Sequence, residues 1–157
     1  AFPRELSGGM KQLVGIARPA YVPIYAEALL RLGTTHSLVI SGDEGLDELS
    51  LAGGNELAEV KDGELSMRRV HPADAGLPTS PVGAIRGGDA TYNAAALRAL
   101  LQGEQGPYRN AVLFNAAAAL IVAGEAHSWH EGVEEAAEAI DKGLANALLN
   151  CWISALK

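Results

Sequence analysis

The 157-residue chain is 48% hydrophobic, 20% charged and only 5% aromatic, with 12 Lys+Arg against 19 Asp+Glu for a formal net charge of −7. These values describe one globular domain; they exclude a disordered polymer and, with no uninterrupted apolar run of about 18 residues, a membrane-spanning helix. The acidic balance, with no basic stripe, argues against nucleic acid and against an anionic membrane as partners.

A chain of this size buries roughly two-thirds of its unfolded surface and needs no disulfide or zinc staple. The single Cys151 agrees, since it can form no internal bridge. With no visible secretory signal, a reducing cytoplasmic setting is expected. The opening residue is Ala1 rather than Met, so a fragment or a processed product is expected.

Residues 1–12 contain Pro3 and the Gly8-Gly9 pair without any period, and they read as a lead-in loop; a partial α/β domain is expected over 13–157. The apolar run Leu13 to Ala17 suits a strand buried on both faces. Val22, Tyr25, Leu29 and Leu32 then recur at helical spacing up to Gly33, and His36 to Ser41 forms a second buried strand ending at Gly42. Strand, helix and strand make a βαβ unit. Alternating residues from Asn55 to Val70, broken by Asp62-Gly63, predict an antiparallel hairpin at the sheet edge.

A long crossing loop rich in proline and glycine follows over 71–89, with one helical turn at Pro72 to Ala75. Asp89 is an N-cap for a helix through about Gln102, with Ala94, Leu97, Leu100 and Leu101 on its buried side. After Gly106-Pro107 comes an alanine-rich helix over about 108–123, closed by Gly124. Ser128-Trp129-His130-Glu131 is a capping box opening a helix that Gly143 ends, and a last helix spans about 144–155. The fold class is therefore α/β: a mostly parallel sheet with an antiparallel hairpin and carboxyl-terminal helices. The many alanines of these helices imply close helix packing rather than a large aromatic core.

Chemistry concentrates in Ser41 to Ser50, where Asp43, Glu44, Asp47 and Glu48 follow directly on a predicted parallel strand, the end of an open α/β sheet at which ligands bind. Adjacent carboxylates offer hard oxygen ligands to Mg²⁺. On spacing alone the segment reads first as a solvated acidic loop. Other candidates have structural explanations. His127 and His130 flank the capping box, and His36 and His71 stand isolated at element edges. Arg68-Arg69 discourage pairing at an edge strand. Arg86 to Asp89 reads as a tight loop ending in an N-cap before it reads as an anion-binding turn. Asn115 is a buried hydrogen-bonding tie and Cys151 a small core residue.

From Gln12 onward the sequence resembles the carboxyl-terminal half of the anthranilate phosphoribosyltransferase family. The resemblance is carried by Gln12 to Ile16, Ala26 to Leu29 with Leu32-Gly33, Gly45 to Leu51, and Ala58 to Glu64. It continues through Pro72 to Leu77, Arg86 to Asp89, Asn93-Ala94, and Asn115 to Leu120. It implies a phosphoribosyltransferase/nucleoside phosphorylase-type α/β domain. The implied reaction belongs to tryptophan biosynthesis: the amine of anthranilate attacks the anomeric carbon of phosphoribosyl diphosphate and displaces diphosphate.

No enzyme nucleophile is needed for that reaction, so the protein positions the reactants and neutralises charge on the leaving group. The family's acidic metal-binding pair matches Asp47 and Glu48, which the resemblance makes the Mg²⁺ ligands, with Asp43 and Glu44 as solvated neighbours. The family's amino-terminal helical domain, its glycine-rich diphosphate loop and its Lys-His loop do not occur among these residues, so little or no transfer by this chain alone is expected. The resemblance also leaves room for a homo-oligomer.

Leu6-Ser7-Gly8-Gly9-Met10-Lys11-Gln12, continuing to Arg18, resembles the signature stretch of ABC-transporter ATPases, in which the serine and glycines open a helix. No G-x-x-x-x-G-K-[ST] loop accompanies it. Three functions are thus compared: phosphoribosyl transfer by part of an enzyme, a non-catalytic fragment or association module, and an ABC-type nucleotide-binding segment.

Overall fold

A computed structural model describes residues 10–156. The lead-in expected over 1–12 lies, for residues 1–9, outside the described residues. Four strands form one sheet in the order β1-β2-β3-β4. β1 (Lys11–Gly15) pairs parallel with β2 (His36–Gly42), and β2, β3 (Asn55–Lys61) and β4 (Glu64–Val70) pair antiparallel in turn. The α/β class stands with its βαβ unit and its hairpin, but the sheet is mixed and not mostly parallel, because only the helical crossover from β1 to β2 gives a parallel pair and the two later pairings are antiparallel.

The crossover helix α1 (Val22–Arg31) covers one face, against Val39, Ala58 and Val60. The other face, with Leu38, Ile40, Leu57 and Val70, is covered by α3 (Pro107–Ala123) through Ala111, Phe114 and Ala118. Beyond it pack α2 (Ala90–Leu101), α4 (Trp129–Asp141) and α5 (Leu144–Ala155). Every residue of β2 is buried, as a strand covered on both faces requires.

Local chemistry explains most boundaries. Asp62 and Gly63 both have positive φ, the geometry of a tight two-residue hairpin turn, and Asp-Gly is the pair that tolerates it. Asp89 accepts a hydrogen bond from the Tyr92 N–H at 2.8 Å, as an N-cap should. Ser128 caps α4 by accepting from the Glu131 N–H at 3.1 Å. The alanine-rich packing is close. A Cβ on Gly132 of α4 would lie 2.8 Å from the Ala117 Cβ of α3. The turn at Pro72–Ala75 is a 3-10 helix, and the crossing loop holds a second one at Val82–Ile85 that the sequence did not signal.

Several expectations need correction. β1 begins at Lys11, two residues early, and is only partly buried because it pairs on one side with β2 and is covered mainly by α3. The sheet-facing stripe of α1 is Val22, Ala26 and Leu29: Val22 and Leu29 are buried as expected, whereas Tyr25 and Leu32 are exposed, because this helix carries apolar residues on more than one face and spacing alone does not separate them. On α2, Leu100 is buried but Ala94 is exposed, because the helix docks only through its last turns. Cys151 is exposed rather than a core residue, since α5 touches α4 and α2 along one side and turns Cys151 away.

Candidate functional site

The acidic loop 43–50 leaves the carboxyl end of β2 beside the carboxyl end of β1. Its path is set mostly by backbone chemistry. The Gly42 N–H donates to the Leu46 carbonyl at 2.9 Å and the Gly45 N–H to Gly42 at 2.9 Å, which closes a tight turn needing positive φ at Gly45. The chain then crosses β1 so closely that a Cβ on Gly15 would overlap the Asp47 carbonyl oxygen. Gly15 is therefore a packing requirement of the loop, one that composition could not reveal.

Two asparagines hold the exit. The Asn115 carboxamide of α3 accepts from the Leu49 N–H at 2.8 Å and donates to the Leu49 carbonyl at 3.0 Å, with a further donation to Ala111 at 3.0 Å. Asn55, fully buried at the start of β3, does the same for Ser50, accepting at 2.6 Å and donating at 3.1 Å, and also donates to Val70. The tie expected of Asn115 is present. That of Asn55 was missed, and its signal was an asparagine opening a buried strand.

The four carboxylates are not equivalent. Asp43, expected as a solvated neighbour, is paired with Arg69 of β4 at 2.5 Å, and the same guanidinium reaches Glu56 at 3.0 Å. The hydrogen bond and charge of Asp43, with those of Glu56, raise the Arg69 pKa above its ordinary value. Gly54 leaves the space this arginine occupies. Thus Arg69 does more than guard an edge: it latches the start of the loop.

Asp47 and Glu48 are exposed, and among the described residues neither enters an ion pair. They border a cavity of about 750 Å³ between β1, the Val82–Ile85 turn and the first half of α3, with Leu13, Ile85 and Tyr108 on its walls. Arg86 stands where this space adjoins a second cavity of about 570 Å³ between α2 and the start of α3.

As a donor set, Asp47 and Glu48 fit a hard cation. Both are oxygen ligands with free lone pairs, and no group of three or more His, Cys, Asp or Glu able to hold a metal occurs among the described residues. A cation held by two carboxylates keeps positions open for water and substrate phosphate, which is how Mg²⁺ usually binds.

The remaining candidates lie elsewhere. His36 is not isolated: its Nε2 is 2.8 Å from Glu59 Oε1, and Arg68 joins the same carboxylate at 3.2 Å, at the opposite end of the sheet. His127 and His130 stay with the α4 cap, where the His127 N–H donates to Glu131 at 2.7 Å, and the His71 N–H donates to Asp74 at 2.8 Å. Asn93 folds onto the Gly88 backbone, so Arg86 to Asp89 is the tight loop expected. Arg109, buried and paired with Asp141 at 2.9 Å, had no sequence signal.

The pattern described as "Glycosyl transferase family, a/b domain" matches residues 7–146. The chain belongs to this family. The match runs through Ser7 to Gln12, and Lys11–Gly15 form a strand rather than a helix start, so the ABC-ATPase resemblance does not hold. Among curated relatives, "Anthranilate phosphoribosyltransferase" of Novosphingobium aromaticivorans is 86% identical over 94% of this chain and 44% of its own length. That of Sphingopyxis alaskensis is 74% identical over 92% and 43%. The chain thus spans less than half the length of these relatives.

Among solved structures, the anthranilate phosphoribosyltransferase of Thermus thermophilus superposes with a TM-score of 0.81 at 38% identity, over 89% of this chain and 41% of that one. A Saccharomyces cerevisiae structure in complex with PRPP and Mg shares the fold at a TM-score of 0.79 and 24% identity, over 89% and 41%. No helix among the described residues is long and apolar enough to cross a membrane.

Proposed function

We propose that this chain is the carboxyl-terminal part of an anthranilate phosphoribosyltransferase of tryptophan biosynthesis, acting in the cytoplasm, and that it contributes the Mg²⁺-binding side of the active site. The observation that carries this reading is the pair Asp47-Glu48: adjacent carboxylates, unpaired among the described residues, at the rim of a cavity and at the carboxyl ends of the parallel strands. Relatives of the same family name, up to 86% identical over this stretch, support the choice of reaction.

In that reaction the amine nitrogen of anthranilate forms a bond to the anomeric carbon of phosphoribosyl diphosphate, while the bond from that carbon to the diphosphate oxygen breaks. Asp47 and Glu48 would hold Mg²⁺, which neutralises charge on the departing diphosphate. The other residues of this chain place those carboxylates: Gly15 lets the loop cross β1, and Arg69 holds its start. On this reading the groups that cradle the diphosphate and most of the anthranilate, which the resemblance places upstream, lie outside the 44% of the Novosphingobium relative that this chain spans. By itself the chain is expected to be inactive.

The test follows the loss of anthranilate fluorescence on adding phosphoribosyl diphosphate and Mg²⁺. Two samples are compared: this chain alone, and this chain joined to the upstream part of the Novosphingobium relative. We expect no turnover from the first and turnover from the second. Asp47→Asn with Glu48→Gln should lower the second by about 100-fold or more, the scale on which lost charge stabilisation acts. Undiminished turnover in that double variant removes the site assignment.

A further inference from the structure

We propose that Asn115 is a positioning residue for the cation site: it lets helix α3 set the direction in which Asp47 and Glu48 present their carboxylates. The inference rests on reading those two residues as the cation ligands. The two carboxylates sit on consecutive residues of an irregular loop, so their relative direction depends on backbone torsions and not on a repeating element. Upstream, the segment is anchored at Leu46, whose carbonyl accepts from Gly42. Downstream, the first anchor is Leu49, and both of its backbone polar groups are bonded by the single Asn115 carboxamide. Residues 47 and 48 are thus stretched between these two points, with the Asp47 carbonyl laid over Gly15.

Asn115 uses three of the four hydrogen bonds a carboxamide can make on this tie and its own helix. Its oxygen takes the Leu49 N–H, and its two N–H groups go to Leu49 and, one turn back on its own helix, to Ala111. Asn115 also borders the cavity that Asp47 and Glu48 share, but both of its N–H groups and one lone pair of its oxygen are spent on backbone. Outer groups that orient metal ligands commonly change metal affinity 10- to 100-fold when removed. Asn115 has the geometry of such a group, acting through the backbone instead of through a ligand side chain.

The test is a Mn²⁺ titration of the 157-residue chain, read by electron paramagnetic resonance, with urea unfolding of every variant. The wild type should bind, and Asp47→Asn/Glu48→Gln should not. Asn115→Leu should weaken Mn²⁺ binding about 10-fold. Asn115→Ala, a better helix former, replaces it if the leucine variant does not fold. Val122→Ala, a buried truncation on the same helix away from the loop, should lose stability and keep its affinity. The proposal is overturned if removal of the Asn115 carboxamide leaves affinity unchanged, or if Val122→Ala weakens it equally. Failure of the underlying reading appears separately, as wild-type affinity in the double carboxylate variant or as no binding by the wild type.

Discussion

The two ends of the sheet handle charge in opposite ways. At the amino ends of β1 and β2, charges beside the core are partnered: Glu59 joins His36 and Arg68, and Lys11 Nζ donates to the Ala123 carbonyl at the end of α3 at 2.5 Å. A cation at a helix carboxyl end also meets the favourable pole of the helix dipole. At the carboxyl ends of the same strands, Arg69 satisfies Asp43, while Asp47 and Glu48, unpaired among the described residues, stand at a cavity rim on a loop whose backbone is tied by asparagine side chains. One end is neutralised by side chains, whereas at the other the loop backbone is tied and the charge of Asp47 and Glu48 is left without a partner among the described residues. That combination, a tied backbone and free carboxylates, is what the proposed cation site asks of this loop.

The largest change to this comparison comes from removing what both ends share. Phe114 is fully buried in the middle of α3, packs against the strands, and meets Trp129 edge-on at 5.5 Å between ring centroids. Phe114→Ala should cost about 3–5 kcal/mol in urea unfolding, a large fraction of the roughly 5–15 kcal/mol typical of a domain. Both ends should loosen together, seen as joint loss of hydrogen-exchange protection in β2 at His36 and at Ser41. Protection lost at one end alone would mean that α3 does not couple them.

Much of this was legible in the chain. The Asp62-Gly63 turn, the Asp89 and Ser128 caps and the glycine stops carry their own local chemistry, and each forms where expected. The acidic loop was visible as well, because four carboxylates after an apolar run stand out. What sequence could not supply is long-range choice. Val22, Tyr25, Leu29 and Leu32 share one helical spacing, yet the sheet keeps Val22 and Leu29, adds Ala26 and leaves Tyr25 and Leu32 exposed. Likewise His36 and Glu59, 23 residues apart, meet only because β2 and β3 pair in a particular register. Gly15 and Asp47 gain their relation in the same way, from the crossing of a loop over a strand. The difference between Asp43 and Asp47 depends on Arg69, an arginine two strands away.

A middle-sized effect is expected at the neutralised end. Glu59→Gln leaves the partly buried His36 ring and the Arg68 guanidinium without their shared carboxylate, and it should cost about 1–3 kcal/mol in urea unfolding. Mn²⁺ affinity should not move, because the site lies at the other end of the strands. A fall in affinity equal to that of the carboxylate variants would erase the distinction between the two ends.

The smallest effect sharpens which carboxylates are free. Asp43 and Arg69 are both nearly half exposed, and Arg69 keeps Glu56 when Asp43 is neutralised. Solvent screening therefore limits Asp43→Asn to under about 1 kcal/mol in unfolding. Its effect on Mn²⁺ binding is the more telling measurement. If Asp43 is satisfied by Arg69, the affinity should change less than about 2-fold, the remnant of weak long-range attraction across a screened surface. If affinity instead falls as far as in Asp47→Asn, then Arg69 releases Asp43 to the cation on binding. The latch at Arg69 would then be part of the site itself, and the line between neutralised and free charge would run through residue 43 instead of beyond it.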